Sequence, residues 1–171
     1  ILPLSFGLAA ATRIGNLVGE QEPQKAKYAS RIAIMICLAG AIINTIIILA
    51  LRETLVSLYS ADLDVIAIAI NLLLFAAIFQ IPDGMQMGAL GSLRGYKDTF
   101  APMLMLILTY WFIALPAGYY LTYYRLFSDA LGPAGIWIGM ITGLTVFASL
   151  IIPRLNYIAN KFIAQSSPKL P

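Results

Sequence analysis

Four long stretches of this sequence carry no charge at all. They run from Ile32 to Leu51, from Val65 to Pro82, from Thr99 to Tyr124 and from Ala130 to Pro153, and each is closed at both ends by Arg or Asp. The shortest has 18 residues and the longest 26. A helix of about 18–20 apolar residues crosses the ~30 Å hydrocarbon core of a bilayer. In lipid the backbone must satisfy its own hydrogen bonds, and these runs are too long for the strands of a barrel, so helices are the form that remains. Composition agrees. The chain is 60% hydrophobic and 11% charged, against about 45–50% and about 25% in soluble domains. That excludes an ordinary soluble enzyme. A net charge of +3 over 171 residues, spread between apolar blocks, gives no basic patch for nucleic acid. There is no His and a single Cys, Cys37. An internal disulfide, a His/Cys metal site and a Cys–His nucleophile pair are therefore all excluded.

The expected fold class is all-α and transmembrane, a polytopic bundle with helices over about 2–19, 30–52, 63–94, 100–124 and 132–160. The run from Ile1 to Thr12 is short and reads as the lower part of a fifth helix; since residue 1 is not Met, the native start is expected upstream. Residues 1–164 form the membrane lobe, and 165–171 a polar, Pro-containing tail. Lys and Arg set the orientation. Nine of the eleven fall on one set of alternating loops: Arg13, Lys25, Lys27, Arg31, Arg94, Lys97, Arg154, Lys161 and Lys169. Arg52 and Arg125 lie on the other. The positive-inside rule puts the larger group and the C-terminus in the cytoplasm. Tyr119, Tyr120, Tyr123 and Tyr124 crowd the opposite end of their helix, where amphipathic rings favour the interface.

Among the charges, Asp83 stands apart. It precedes Arg94 by 11 residues, about 16 Å of helix at ~1.5 Å per residue, which sets it near the middle of the bilayer. A carboxylate at that depth is costly and must face a cavity or a partner. Phe79, Gln80, Gln86 and Met87 stand three or four residues away, on its face of the helix. Pro82 lacks an N–H and frees the carbonyl of Ile78, and Gly84 loosens the backbone. This collection of oxygens suits a hard cation such as Na⁺; a proton is the alternative occupant, because a desolvated carboxyl favours its neutral form. A structural role for Asp83, pairing with a basic residue outside this sequence, is the competing reading. Asn44, Asn71, Thr109 and Thr142 are expected to link helices by hydrogen bonds. Gly132, Gly135, Gly139 and Gly143 form a small-residue stripe for close helix packing. Met85, Met87, Met103 and Met105 either pack or line an adaptable drug pocket.

Two motifs carry a family resemblance. Pro3-Leu4-Ser5-Phe6-Gly7-Leu8-Ala9-Ala10-Ala11-Thr12-Arg13-Ile14-Gly15-Asn16-Leu17-Val18-Gly19 resembles the eighth-helix motif of the multidrug and toxic compound extrusion (MATE) family. Gln80-Ile81-Pro82-Asp83-Gly84-Met85-Gln86, followed by Gly91-Ser92-Leu93-Arg94-Gly95-Tyr96-Lys97-Asp98-Thr99, resembles its tenth helix and the loop beyond. The likeness is closest to the NorM-type branch and covers essentially the whole chain. It implies helices eight to twelve of a twelve-helix, two-lobe transporter that exchanges Na⁺ or H⁺ for amphipathic, cationic drugs, with helix seven and the first lobe upstream. It assigns Asp83 to the branch's cation-binding carboxylate. Phe79 stands where the branch can carry a Tyr whose ring meets the cation; Phe keeps the π-face and loses the hydroxyl. The family's partner acid on helix seven lies outside this sequence. The implied setting is the plasma membrane, with the coupling ion as the only cofactor-like partner. A lipid-linked sugar flippase of the same superfamily would be expected to line its cavity with Arg or Lys, which these helices lack. A membrane enzyme lacks support from any nucleophile motif or paired carboxylates. A non-transporting membrane subunit is the remaining alternative.

Overall fold

The computed structural model describes residues 2–59, 62–124 and 132–166. Helix α1 spans Leu2–Gly19, α2 Pro23–Ser57 and α3 Leu63–Gly95. A fourth span, Phe100–Tyr123, is made of α4 (Phe100–Thr109), one π-helical turn (Tyr110–Ala114) and α5 (Leu115–Tyr123). Helix α6 covers Pro133–Ser166. Among the described residues there is no strand, and four spans (α2, α3, Phe100–Tyr123 and α6) are long and apolar enough to cross a membrane.

Two helices outrun the charge pattern. Helix α2 begins at Pro23 rather than near residue 30 and ends at Ser57 rather than 52; α6 continues to Ser166 rather than 160. A charge marks where a helix can leave lipid, but it does not stop the helix. Pro23 occupies the first turn of α2, where its missing N–H costs nothing and its fixed φ is already helical. The expected tail thus loses residues 165 and 166 to α6, and 167–171 lie outside the described residues.

The turns after α1 and α3 share one construction. Glu22 N–H donates to the Leu17 carbonyl while Gln21 N–H donates to that of Val18; Asp98 N–H and Lys97 N–H do the same to Leu93 and Arg94. Gln21 and Lys97 hold positive φ, 58° and 63°. Both are Schellman caps, built on residues that bear a Cβ.

Helix α3 is the hub. Gly84 and Gly88 meet α2, and Gly91 and Gly95 meet α1. A Cβ on Gly88 would lie 2.6 Å from Ile34 Cα, and one on Gly91 would fall onto the Gly7 carbonyl oxygen. Small residues let backbones touch, which is how helices associate where lipid removes the hydrophobic drive. On the other side, Ala89 and Leu93 join Phe147, Ile151 and Leu155 of α6 in the buried core. The span Phe100–Tyr123 packs on α6 through Gly135, Gly139 and Gly143, which receive Thr122, Gly118 and Ala114. Gly132 is not part of that stripe. It precedes the helix at φ +54° with open space around it, so it serves the turn into α6.

Polar residues inside the spans behave differently from expectation. Asn71, Thr109 and Thr142 donate to carbonyls of their own helices, three or four residues back. Bonds between helices come instead from Thr45 to the Ala77 carbonyl (3.0 Å), Cys37 Sγ to the Pro3 carbonyl (3.6 Å) and Ser30 to Tyr96 Oη (3.5 Å). Short side chains near a helix axis satisfy themselves locally unless a neighbouring backbone comes as close as the glycines allow.

The cations gather as the alternating loops imply. Arg154 makes a two-pronged ion pair with Asp98, its Nε donating to Oδ2 at 2.8 Å and Nη2 to Oδ1 at 3.2 Å. Lys27 Nζ donates to Asn160 Oδ1 at 2.7 Å, and Tyr96 meets Phe162 edge-on. These contacts tie the α2 start, the α3–α4 turn and the α6 end into one layer. Arg52 sits at the far end of α2; Arg125 and Lys169 lie outside the described residues. At that far end Tyr120 stacks on Tyr124 with centroids 4.8 Å apart, beside Tyr119 and Tyr123.

Candidate functional site

Between α3 and the fourth span the packing fails. A groove of about 450 Å³ opens there, lined by Asp83, Gln86, Met87 and Leu90 on one side and Leu106, Ile107, Tyr110 and Trp111 on the other. Asp83 is half-buried, and its Oδ1 accepts a hydrogen bond from Gln86 Nε2 at 2.9 Å. Gln86 is itself buried. A buried amide holding one carboxylate oxygen fixes the rotamer of Asp83 and leaves Oδ2 for another partner. Among the described residues no cluster of three or more His, Cys, Asp or Glu exists to build an all-protein metal cage.

The five site residues expected from the sequence are not all brought together. Asp83, Gln86 and Met87 share the groove. Phe79 instead meets Trp137 of α6 edge-on, with centroids 6.0 Å apart. Gln80 is half-buried and does not line the groove. The five do share one angular face; they differ in height. The fourth span lies opposite the turns from Asp83 to Leu90, whereas one turn earlier Phe79 finds α6. The helix runs through Pro82 without a break. Pro82 and Ile78 line a separate groove with Ile141, Thr145 and Ile152 of α6. Nor do the four methionines form one pocket. Met87 faces the Asp83 groove and Met85 the α6 groove; Met103 lines a third, near Arg94, and Met105 packs against the core.

Two residues of this groove, Tyr110 and Trp111, escape a reading by charge and spacing. They open the π turn, in which Leu115 N–H reaches back five residues to the Tyr110 carbonyl. Pro116 follows at once in α5. Proline clashes with the carbonyl four residues earlier, and an inserted residue relieves that clash. Thr109 adds bonds to the carbonyls of Met105 and Leu106 just before the turn. Such single-turn bulges recur at functional sites. Here the bulge is seated by Ala114 against Gly139 and Gly143 of α6. The sequence signal was present, as an aromatic trio, Tyr110-Trp111-Phe112, four to six residues before a proline inside an apolar run.

Comparison with known proteins places this architecture. The MatE family model matches residues 1–120. The multidrug resistance protein PmpM of Pseudomonas aeruginosa is 39% identical over 165 residues, covering 96% of this chain and 35% of that protein. The multidrug resistance protein NorM of Photobacterium profundum is 38% identical over 158 residues, covering 92% of this chain and 35% of its own length. The chain thus spans about a third of the curated relatives it matches. Its fold superposes on the eukaryotic MATE transporter AtDTX14 with a TM-score of 0.81 at 22% identity, covering 96% of this chain and 37% of that one. With the family model matching well over half of its residues, and the same helical architecture in a solved transporter, the chain belongs to the MatE family.

Proposed function

We propose that these helices form part of the second lobe of a cation-coupled antiporter that exports drugs and other amphipathic, cationic compounds, and that Asp83 binds the coupling cation. The observation that carries the proposal is the groove. One carboxylate of α3, steadied by a buried amide, faces two aromatic side chains in a space open to a small occupant. A monovalent cation neutralises the carboxylate at Oδ2, and the rings of Tyr110 and Trp111 offer π-faces that favour positive charge. Either Na⁺ or H⁺ fits this chemistry. Coupling then follows from competition. A cationic drug and the coupling ion both seek the same negative charge, so the lobe holds one or the other as the bundles rock between sides. A second acid on helix seven, outside this sequence, is the expected further ligand.

Family membership and the names of the relatives, which are multidrug resistance proteins, support the export reading. The cation-rich layer supports a cytoplasmic C-terminus. Against a flippase stands the lining of the groove, where no Lys or Arg appears among the described residues.

Asp83→Asn in the full-length protein tests the reading. It keeps shape and removes charge. Yield and folding are expected to survive while ion-coupled efflux is lost, measured as drug efflux and its cation dependence in membranes matched for protein amount. Normal coupled efflux by the Asn variant refutes the assignment, as does lowered yield with transport per folded molecule intact.

A further inference from the structure

A further groove lies between α1 and α2 and measures about 390 Å³. Its walls are apolar, with Phe6 and Ala9 on α1 and Ile32 and Ile36 on α2. Its mouth carries two cations, Arg13 and Lys25, at the end of the bundle where the other cations gather. Alanines on both helices create the furrow, because neither side fills it. Lys25 donates to Glu22 at 3.1 Å across one exposed turn, which leaves its ammonium two further donors. Arg13 is exposed, and no carboxylate among the described residues pairs with it.

From Lys25 to Ile36 the lining climbs 11 residues, about 16 Å of helix at ~1.5 Å per residue; the turns up to Arg31 belong to the headgroup layer, and the hydrocarbon begins at Ile32. The order is polar at the membrane surface and apolar inward. From this we infer that the α1–α2 groove binds an anionic phospholipid, its phosphate held between Arg13 and Lys25 and one acyl chain laid along Phe6, Ile32 and Ile36. Basic pockets between helices at the cytoplasmic face suit such headgroups. Guanidinium and ammonium together supply a planar fork and a point charge for one phosphate.

The test uses the full-length protein, purified in detergent and mixed with phosphatidylglycerol or phosphatidylcholine, with retained lipid counted by native mass spectrometry. Arg13→Gln is expected to lower phosphatidylglycerol retention about fivefold, the factor one near-surface cation commonly contributes, and to leave phosphatidylcholine unchanged. Inorganic phosphate at millimolar concentration is expected not to displace the lipid; displacement would mean a free-anion site and overturn the inference. Equal loss of both lipids would also overturn it. A photo-crosslinking benzoylphenylalanine at position 36, where Ile36 is partly exposed, reports the occupant directly. A phosphatidylglycerol adduct supports the inference. A crosslink to another segment of the same protein means that protein covers the groove, and ends it.

Discussion

Helix α3 meets its neighbours in two opposite ways. Towards α1 and α2 it presents glycines, and the backbones close until a single added Cβ has no place. Towards the fourth span it presents Met87 and Leu90, which oppose Leu106 and Trp111. Large side chains hold that span off, and the space they prop open is where Asp83 stands. In the glycine seam no room remains for an ion, a water molecule or a drug, so a carboxylate there would be desolvated without compensation. On the propped face the same charge can be met by an occupant that comes and goes. One helix therefore packs tightly on one side and leaves a groove on the other, and residue size decides which.

The close-packed face is the more easily disrupted, at its glycines. Gly91→Ala forces a methyl group onto the Gly7 carbonyl, and overpacking of this kind costs about 1–3 kcal/mol or more. Gly19→Ala, in the last turn of α1 with open space around it, gains helix propensity of up to about 1 kcal/mol instead. Thermal unfolding of the full-length protein in detergent separates the two; equal effects would mean that the seam is not set by backbone contact.

A smaller effect belongs to the ion pair that fastens the cation-rich layer. Arg154 and Asp98 are partly buried, with side chains 31% and 15% exposed, and their geometry is two-pronged. A double-mutant cycle with Arg154→Gln and Asp98→Asn is expected to give a coupling of about 1–2 kcal/mol. A coupling near zero would reduce the pair to surface decoration. Smallest is the turn after α1. Gln21 holds φ 58°, so Gln21→Gly is expected to raise stability by about 1 kcal/mol, the penalty a Cβ suffers in the left-handed region. A loss of stability in the same unfolding assay would show that the Gln side chain contributes more than its backbone strain costs.

How much of this was legible in the sequence differs by level. Uncharged runs fix the number and rough position of the spans because transfer of charge into lipid dominates every competing term there. They misplace the ends of α2 and α6, because helical hydrogen bonding continues past the first charged residue. Asp83, Gln86 and Met87 were readable from depth and helical spacing. Phe79 and Gln80 share their angular face, yet spacing along one helix cannot say at which height a neighbour crosses it. The glycine pairs of α3 carry no signal of their own in the sequence, because their partners, Gly7, Ile34 and Ala41, are set only when the helices lie side by side. The π turn at Tyr110 depends on the joint effect of Pro116 and the α6 glycines, which no single residue announces.

If Asp83 is the charge shared by coupling ion and drug, as we propose, chemical labelling detects it. A hydrophobic carbodiimide modifies carboxyls within the membrane, and peptide mass spectrometry of the full-length protein locates the adduct. Asp83 is expected to be modified, and the modification is expected to fall when a lipophilic cation such as tetraphenylphosphonium is added, with Na⁺ doing the same if Na⁺ is the coupling ion. Glu20, in the exposed α1–α2 turn, serves as the control whose modification neither addition changes. Modification of Asp83 that is indifferent to both cations would mean that neither coupling ion nor drug meets this carboxylate.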